Sequence, residues 1–173
     1  MKKLMLTALG AAALALSACG DSLPPETDAS PEAVQGRTFE LRLRGDNAEG
    51  YGAVLVPIAS MDVTAGGARL PVRLVARTVD LTAKDHAHLL GTFTVPEGVE
   101  QVQVALTFDD FGGWEQGLRA GALDTRVAPL RFSAPVDSLS KRGRAVVQLD
   151  VGQSLLPVAE QERLLLPNLT VNY

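Results

Sequence analysis

One cysteine, two histidines and eight aromatic residues (five Phe, two Tyr, one Trp) are scant provision for a chain of 173 residues. A single thiol has no partner within the chain, so no disulfide framework supports the fold. A closed zinc site takes about four nitrogen or sulfur ligands, and Cys19, His86 and His88 do not supply them. With so few aromatics the core must rest on Leu and Val. Basic residues are also short: 16 Lys and Arg against 20 Asp and Glu leave a formal charge of −4. Nucleic-acid partners need clustered positive charge, so that class is not expected. No apolar run approaches the roughly 20 residues that cross a bilayer as a helix. The motifs G-x-S-x-G, H-E-x-x-H, the P-loop and a strand-linked G-x-G-x-x-G are missing. Ser, Asp and His occur, but no spacing brings them together. Neither catalysis nor a cofactor is expected.

What is present starts with an export signal. Lys2 and Lys3 lead into an apolar stretch, Leu4 to Leu16, followed by the small residues Ser17 and Ala18. Leu16-Ser17-Ala18-Cys19 resembles the lipobox of bacterial lipoproteins. The resemblance implies cleavage before Cys19, a diacylglycerol thioether on its sulfur and acylation of its new amino group, hence a membrane anchor. It also accounts for a lone cysteine at this place. Each buried methylene contributes about 0.8 kcal/mol, so several acyl chains hold far more firmly than one. Inner-membrane retention in such lipoproteins uses aspartate directly after the cysteine; here Gly20 stands there and Asp21 follows. That departure favours the outer membrane of a diderm bacterium.

The expected organisation is a signal peptide over residues 1–18, the lipidated cysteine with a tether over 19–35, and one domain over 36–173. Cleavage leaves 155 residues, 173 less 18, and losing Lys2 and Lys3 takes the formal charge from −4 to −6. Residues 20–35, GDSLPPETDASPEAVQ, have no apolar period and read as a polar tether. No repeat recurs at a fixed period.

Beyond Gln35 the signal is alternation with a period of two, the mark of half-buried strands. In RTFELRLRG, Phe39, Leu41 and Leu43 alternate with Glu40, Arg42 and Arg44. YGAVLVPIASMDV reads as one or two strands with an irregularity at Pro57. In ARLPVRLVARTVDL, Leu70, Val72, Leu74 and Ala76 alternate with arginines, and Pro71 places the strand late or at an edge. HLLGTFTVPEGVEQVQVALTF reads as two strands joined by the turn Pro96-Glu97-Gly98. Further strands are expected at 126–132, 144–151 and 163–171, with helical turns at 158–164 and over GGWEQGLRA. Together these predict an all-β, antiparallel β-sandwich, transthyretin-like or immunoglobulin-like, with a short helical turn near the C-terminus. Trp114 is expected to pack over one end of the sandwich, with an exposed sugar-stacking platform as the alternative.

VDLTAKDHAHLLGTFTVPEGVEQVQVALTF, and the later VVQLDVGQSLLPVAEQERLLLPNLTV, are similar to segments of a family of bacterial lipoproteins of unknown function. The resemblance covers roughly residues 36–173 and implies a transthyretin-like β-sandwich with no known activity. The family's Asp-Ala-Pro after its first strand is absent; GDNAEGYG stands in its place.

Candidate chemistry is sparse. His86 and His88, at i and i+2 with Asp85 beside them, face one side of an extended chain and could share a metal; a solvated loop is the simpler meaning. Asp109, Asp110 and Glu115 in FDDFGGWE could ligate calcium through oxygen, though the spacing is not that of an EF-hand. SKRGRA, residues 140–145, reads as a basic turn between strands, with contact to an anion as the alternative. The function expected is a lipid-anchored cell-envelope module that interacts or supports without catalysis. Its partners would be the membrane through the lipid, and envelope proteins or glycans. The alternative is a carbohydrate- or calcium-binding module using the loops around Trp114.

Overall fold

The computed structural model describes residues 35–83 and 85–173. The expected signal peptide, the lipobox with Cys19 and the tether up to residue 34 lie outside the described residues. The chain runs β1 (Gly36–Asp46), β2 (Ala53–Ala65), β3 (Ala68–Arg69), β4 (Val72–Leu74), β5 (Thr78–Asp80), β6 (His88–Pro96) and β7 (Gln101–Phe108). There follow β8 (Phe111–Gln116), β9 (Arg119–Asp124), β10 (Leu130–Pro135) and α1 (Val136–Arg142). It ends with β11 (Arg144–Asp150), α2 (Val151–Ser154), β12 (Leu155–Ala159), β13 (Glu162–Leu165) and β14 (Leu169–Asn172).

The strands form two sheets around one apolar core, the all-β sandwich architecture expected. The five-stranded sheet has the order β14-β11-β1-β6-β4. The nine-stranded sheet runs β10-β7-β2-β8-β9-β13-β12, with β3 and β5 also on β2. Alternation decides which side chains meet between them. Phe39, Leu41 and Leu43 of β1 are buried, as are Val54, Val56 and Ile58 of β2 and Val102, Val104 and Leu106 of β7. Each such side chain contributes about 1.5–3 kcal/mol on leaving water. Phe39 and Phe93 are cross-strand partners with ring centroids 5.9 Å apart.

Most pairings are antiparallel, but β1 pairs β11 in parallel, and β13 pairs β9 in parallel. The sheets are therefore mixed where a purely antiparallel sandwich was expected. Parallel neighbours need a crossover between them, and the long run of chain between Asp46 and Arg144 supplies it for β1 and β11. Both β7 and β8 pair with β2, one after the other along its length. Phe108 sits opposite Ile58 and Gly113 opposite Leu55, with a bend between them at Asp109 and Asp110. The same bend is where β2 accommodates a proline. The Pro57 carbonyl accepts from the Asp109 N–H (3.1 Å), so the donor that proline lacks would also have faced the bend. The β2 register shift falls one residue on, between Ile58 and Ser60.

Several sequence expectations are corrected. The alternation from Arg69 to Ala76 holds in burial but not in one sheet. β3 and β5 join β2, whereas β4 between them joins β6. The Pro96-Glu97-Gly98 turn, with Gly98 at φ 81, links β6 to β7 across the two sheets. Residues 158–164 are not helical: β12 and β13 pair there as a hairpin. GGWEQGLRA is likewise a hairpin, β8 to β9, turning at Gly117 with φ 61. The short helix near the C-terminus is α2, capped by the Asp150 carboxylate on Gln153 N–H at 2.9 Å. The expected strand at 126–132 starts only at Leu130, and that at 163–171 breaks around Pro167 into β13 and β14, one in each sheet.

SKRGRA is not a bare turn. Its first residues end α1, which buries Leu139 and stops at Gly143 with φ 70, the left-handed cap. Lys141 and Arg142 occupy the last turn of α1, where cations suit the helix dipole.

Candidate functional site

The outer face of the five-stranded sheet gathers arginines from two distant parts of the chain. Because Leu41 and Leu43 turn inward on β1, Arg42 and Arg44 must turn outward. β11 lies beside β1 in parallel register with Glu40 opposite Arg144, Arg42 opposite Val146 and Arg44 opposite Gln148. The end of α1 is fixed to the same place, since the Gly143 carbonyl accepts the Glu40 N–H at 3.0 Å. Arg142 thereby joins Arg42, Arg44 and Arg144 around a groove of about 540 Å³. Asp85 and His86 form part of its rim.

Among the described residues one of the four guanidinium groups is matched by a carboxylate. The Arg42 Nε–H donates to Glu40 Oε2 at 2.8 Å, and its Nη1 donates to the Ala87 carbonyl at 3.1 Å. A half-buried ion pair at the surface such as this contributes about 0–1 kcal/mol. Among the described residues Arg44, Arg142 and Arg144 have no carboxylate within salt-bridge distance. The Nε–H of Arg44 is buried and finds no acceptor among the described residues. A buried donor left in that state costs about 1–3 kcal/mol, which an acceptor arriving in the groove would relieve. On its far side Arg44 also borders a second groove of about 390 Å³, floored by Asp46, Asn47, Glu49 and Tyr51 of the GDNAEGYG segment.

The residues singled out from sequence are not drawn together. His86 and His88 do meet, edge to face with centroids 4.6 Å apart. The Nε2 of His88, however, is hydrogen-bonded to the Asp80 carbonyl at 2.9 Å. Asp85 adopts φ 56 beside them. Asp109 and Asp110 lie at the β7–β8 bend, where the Asp109 carboxylate accepts the Asp110 N–H at 2.9 Å. The Thr125 hydroxyl donates to the Asp109 carbonyl, and Thr125 N–H donates to that of Asp110 at 3.0 Å. Glu115 is at the other end of β8, opposite Ala53 and Ala120. Among the described residues no group of three or more His, Cys, Asp or Glu side chains is placed to hold a metal ion.

Trp114 lies on strand β8 itself and is only 2% exposed. Its indole N–H donates to the Ala122 carbonyl at 3.1 Å, and the Arg163 guanidinium covers its ring at 4.3 Å. No ring face is left open for a sugar. Arg163 also donates to Tyr51 Oη (2.7 Å) and Gln116 Oε1 (2.8 Å), tying β13 to β8 and to the loop before β2.

The carboxylates with shifted affinities are structural. Burial raises Asp80, but hydrogen bonds from the Thr82 and Val54 N–H groups and the Thr82 hydroxyl outweigh it and hold the carboxyl below its ordinary range. Asp124 is pulled down to about 2 by the Arg126 guanidinium and N–H that it accepts from. Neither residue lines the arginine groove.

Nothing in the sequence singles out Arg42 and Arg44, which read there as the outward half of a strand. Arg142 and Arg144 read as part of a basic turn, and that turn's alternative meaning, contact with an anion, is the signal in the sequence that points to this face. Comparison with known proteins gives no matching family model, no matching curated protein and no matching solved structure.

Proposed function

We propose that this chain is a lipid-anchored, non-catalytic interaction or structural module of the cell envelope, tethered through Cys19 to the outer membrane of a diderm bacterium. The lipobox-like Leu16-Ser17-Ala18-Cys19 and the polar stretch after it support the address. The contact surface in this reading is the arginine face of β1 and β11. The single observation that carries it is the gathering of Arg42, Arg44, Arg142 and Arg144 around one groove in a chain whose formal charge is −4. Cations drawn together against the average charge repel one another, and an anionic partner relieves that repulsion. Among the described residues the groove's ionisable side chains are four guanidinium groups, one carboxylate and one imidazole, a set suited to holding anions.

Two measurements test this. Mass spectrometry of the native protein is expected to find the mature chain starting at an acylated Cys19; a free thiol or a retained Met1 overturns the anchored address. Crosslinking and pull-down of the native anchored protein are expected to capture a reproducible envelope partner. That partner should be lost when Arg42, Arg44 and Arg144 become Gln. Repeated failure to capture any partner overturns the interaction role.

A further inference from the structure

We infer that the arginine face binds a ligand bearing two or more phosphate groups. The inference rests on reading this face as the contact surface and names the chemistry it takes. Arg42 and Arg44 are two residues apart on β1, so their stems leave the sheet about 7 Å apart. β11 lies about 5 Å to the side and carries Arg144 in register with Glu40, while Arg142 comes in from the end of α1. A single small anion meets one or two of these groups; successive anionic groups along one ligand meet all four.

Among the described residues the cations of this groove are all arginine. A guanidinium fork pairs two N–H groups with two oxygens of one phosphate, a geometry that lysine lacks. A phosphate monoester carries about −1.5 to −2 charges at neutral pH and three acceptor oxygens. It therefore answers several arginines where a carboxylate answers one. Among the described residues three of the four guanidinium groups have no carboxylate partner, and the buried Arg44 Nε–H has no acceptor. The opposing charges near the four arginines, among the described residues, are Asp85 on the rim, Glu40, engaged by Arg42, and Asp46 and Glu49, which share the second groove with Arg44. Asp46, next outward on β1, accepts from the Gln148 amide at 2.5 Å.

The phosphates belong either to a dissolved phosphorylated compound or to a lipid headgroup, and the test separates the two. The full chain in nonionic detergent is titrated calorimetrically with sodium tripolyphosphate. Saturable binding that weakens as sodium chloride rises is expected. Arg44→Gln should weaken it at least about tenfold, as losing one charge-assisted hydrogen bond does. Arg44→Lys, which keeps the charge and loses the fork, should fall between. Arg131→Gln, on the other sheet, should bind as the parent does, and thermal midpoints report that each variant is folded. Displacement of tripolyphosphate by micelles doped with cardiolipin, whose headgroup carries two phosphates, supports a lipid headgroup; indifference to them, with tripolyphosphate still bound, supports a dissolved ligand. Equal affinity for citrate overturns the phosphate assignment. So does an equal loss in Arg131→Gln, or the absence of saturable binding at millimolar concentration. None of these results alters the Cys19 mass or the crosslinked partners, so failure here is distinct from failure of the anchored-module reading.

Discussion

The guanidinium of Arg163 lies 4.3 Å above the indole of Trp114, closing the one tryptophan of the chain beneath a cation. The pair joins two strands that are not neighbours in the sheet: β8 holds Trp114, β13 holds Arg163, and β9 runs between them. A cation over an indole contributes about 0.5–2 kcal/mol, more as water is excluded. Here two hydrogen bonds, to Tyr51 and Gln116, hold the guanidinium in position.

Arg163→Ala is accordingly expected to lose about 1–3 kcal/mol of stability, through the stacking and the two bonds together. Urea unfolding followed by tryptophan fluorescence reads both the midpoint and the altered indole environment. Trp114→Ala should cost more, about 3–5 kcal/mol, because it also leaves a cavity. A midpoint unchanged in Arg163→Ala would show that the contact is incidental.

Acid should unfold the protein partly through Asp80. Its folded carboxyl titrates below the unfolded value of 3.8, so the charged form is favoured by folding. The sign follows directly: this contribution is present above the unfolded value and disappears as pH falls through the lower folded value. Asp124 acts in the same direction, with its folded value at about 2. In Asp80→Asn the acid limb of a stability-versus-pH curve should flatten, and stability at neutral pH should drop as the three hydrogen bonds into the carboxylate weaken. An unchanged acid limb would exclude the linkage.

Gly45 lets β1 pass close beneath the chain that follows β5. A Cβ built on it collides with the Leu81 backbone carbonyl, which no side-chain rotation relieves. Gly45→Ala should therefore destabilise by more than about 2 kcal/mol, at the severe end for a single methyl. Gly143→Ala offers the contrast: its surroundings are open, but φ 70 strains any side chain, and about 1 kcal/mol is expected. Thermal denaturation of the two variants ranks them; a reversed order would contradict the packing described.

Much of the strand content is legible in the sequence because burial on a strand has a period of two, and the pattern needs only nearest neighbours along the chain. β1 and β11 stand almost where alternation puts them. The segment from Leu70 to Ala76 keeps its alternation although β4 within it joins β6 while β3 before it and β5 after it join β2, since facing the core does not require one partner. The hairpins at Trp114 and at 155–165 carry a misleading local signal: short stretches of Glu, Gln, Leu and Ala have helix propensity, and pairing of β8 with the distant β2 and of β13 with the distant β9 overrides it. The helix α1 goes unread in the sequence although its signals are present, with Pro135 before it and Gly143 after it.

The amino-acid order alone determined that Arg42 and Arg44 leave β1 on the side away from the core, and that Arg142 and Arg144 flank a glycine. It could not bring the two pairs together. Their meeting depends on β11 lying parallel to β1 and on the Glu40–Gly143 hydrogen bond, contacts between residues far apart along the chain. Local periodicity contains no term for such a pairing, because it is decided by which sheet edges remain open once the whole core has closed. The charge of each side chain is therefore written in the sequence, whereas the field they make together exists only in the folded protein.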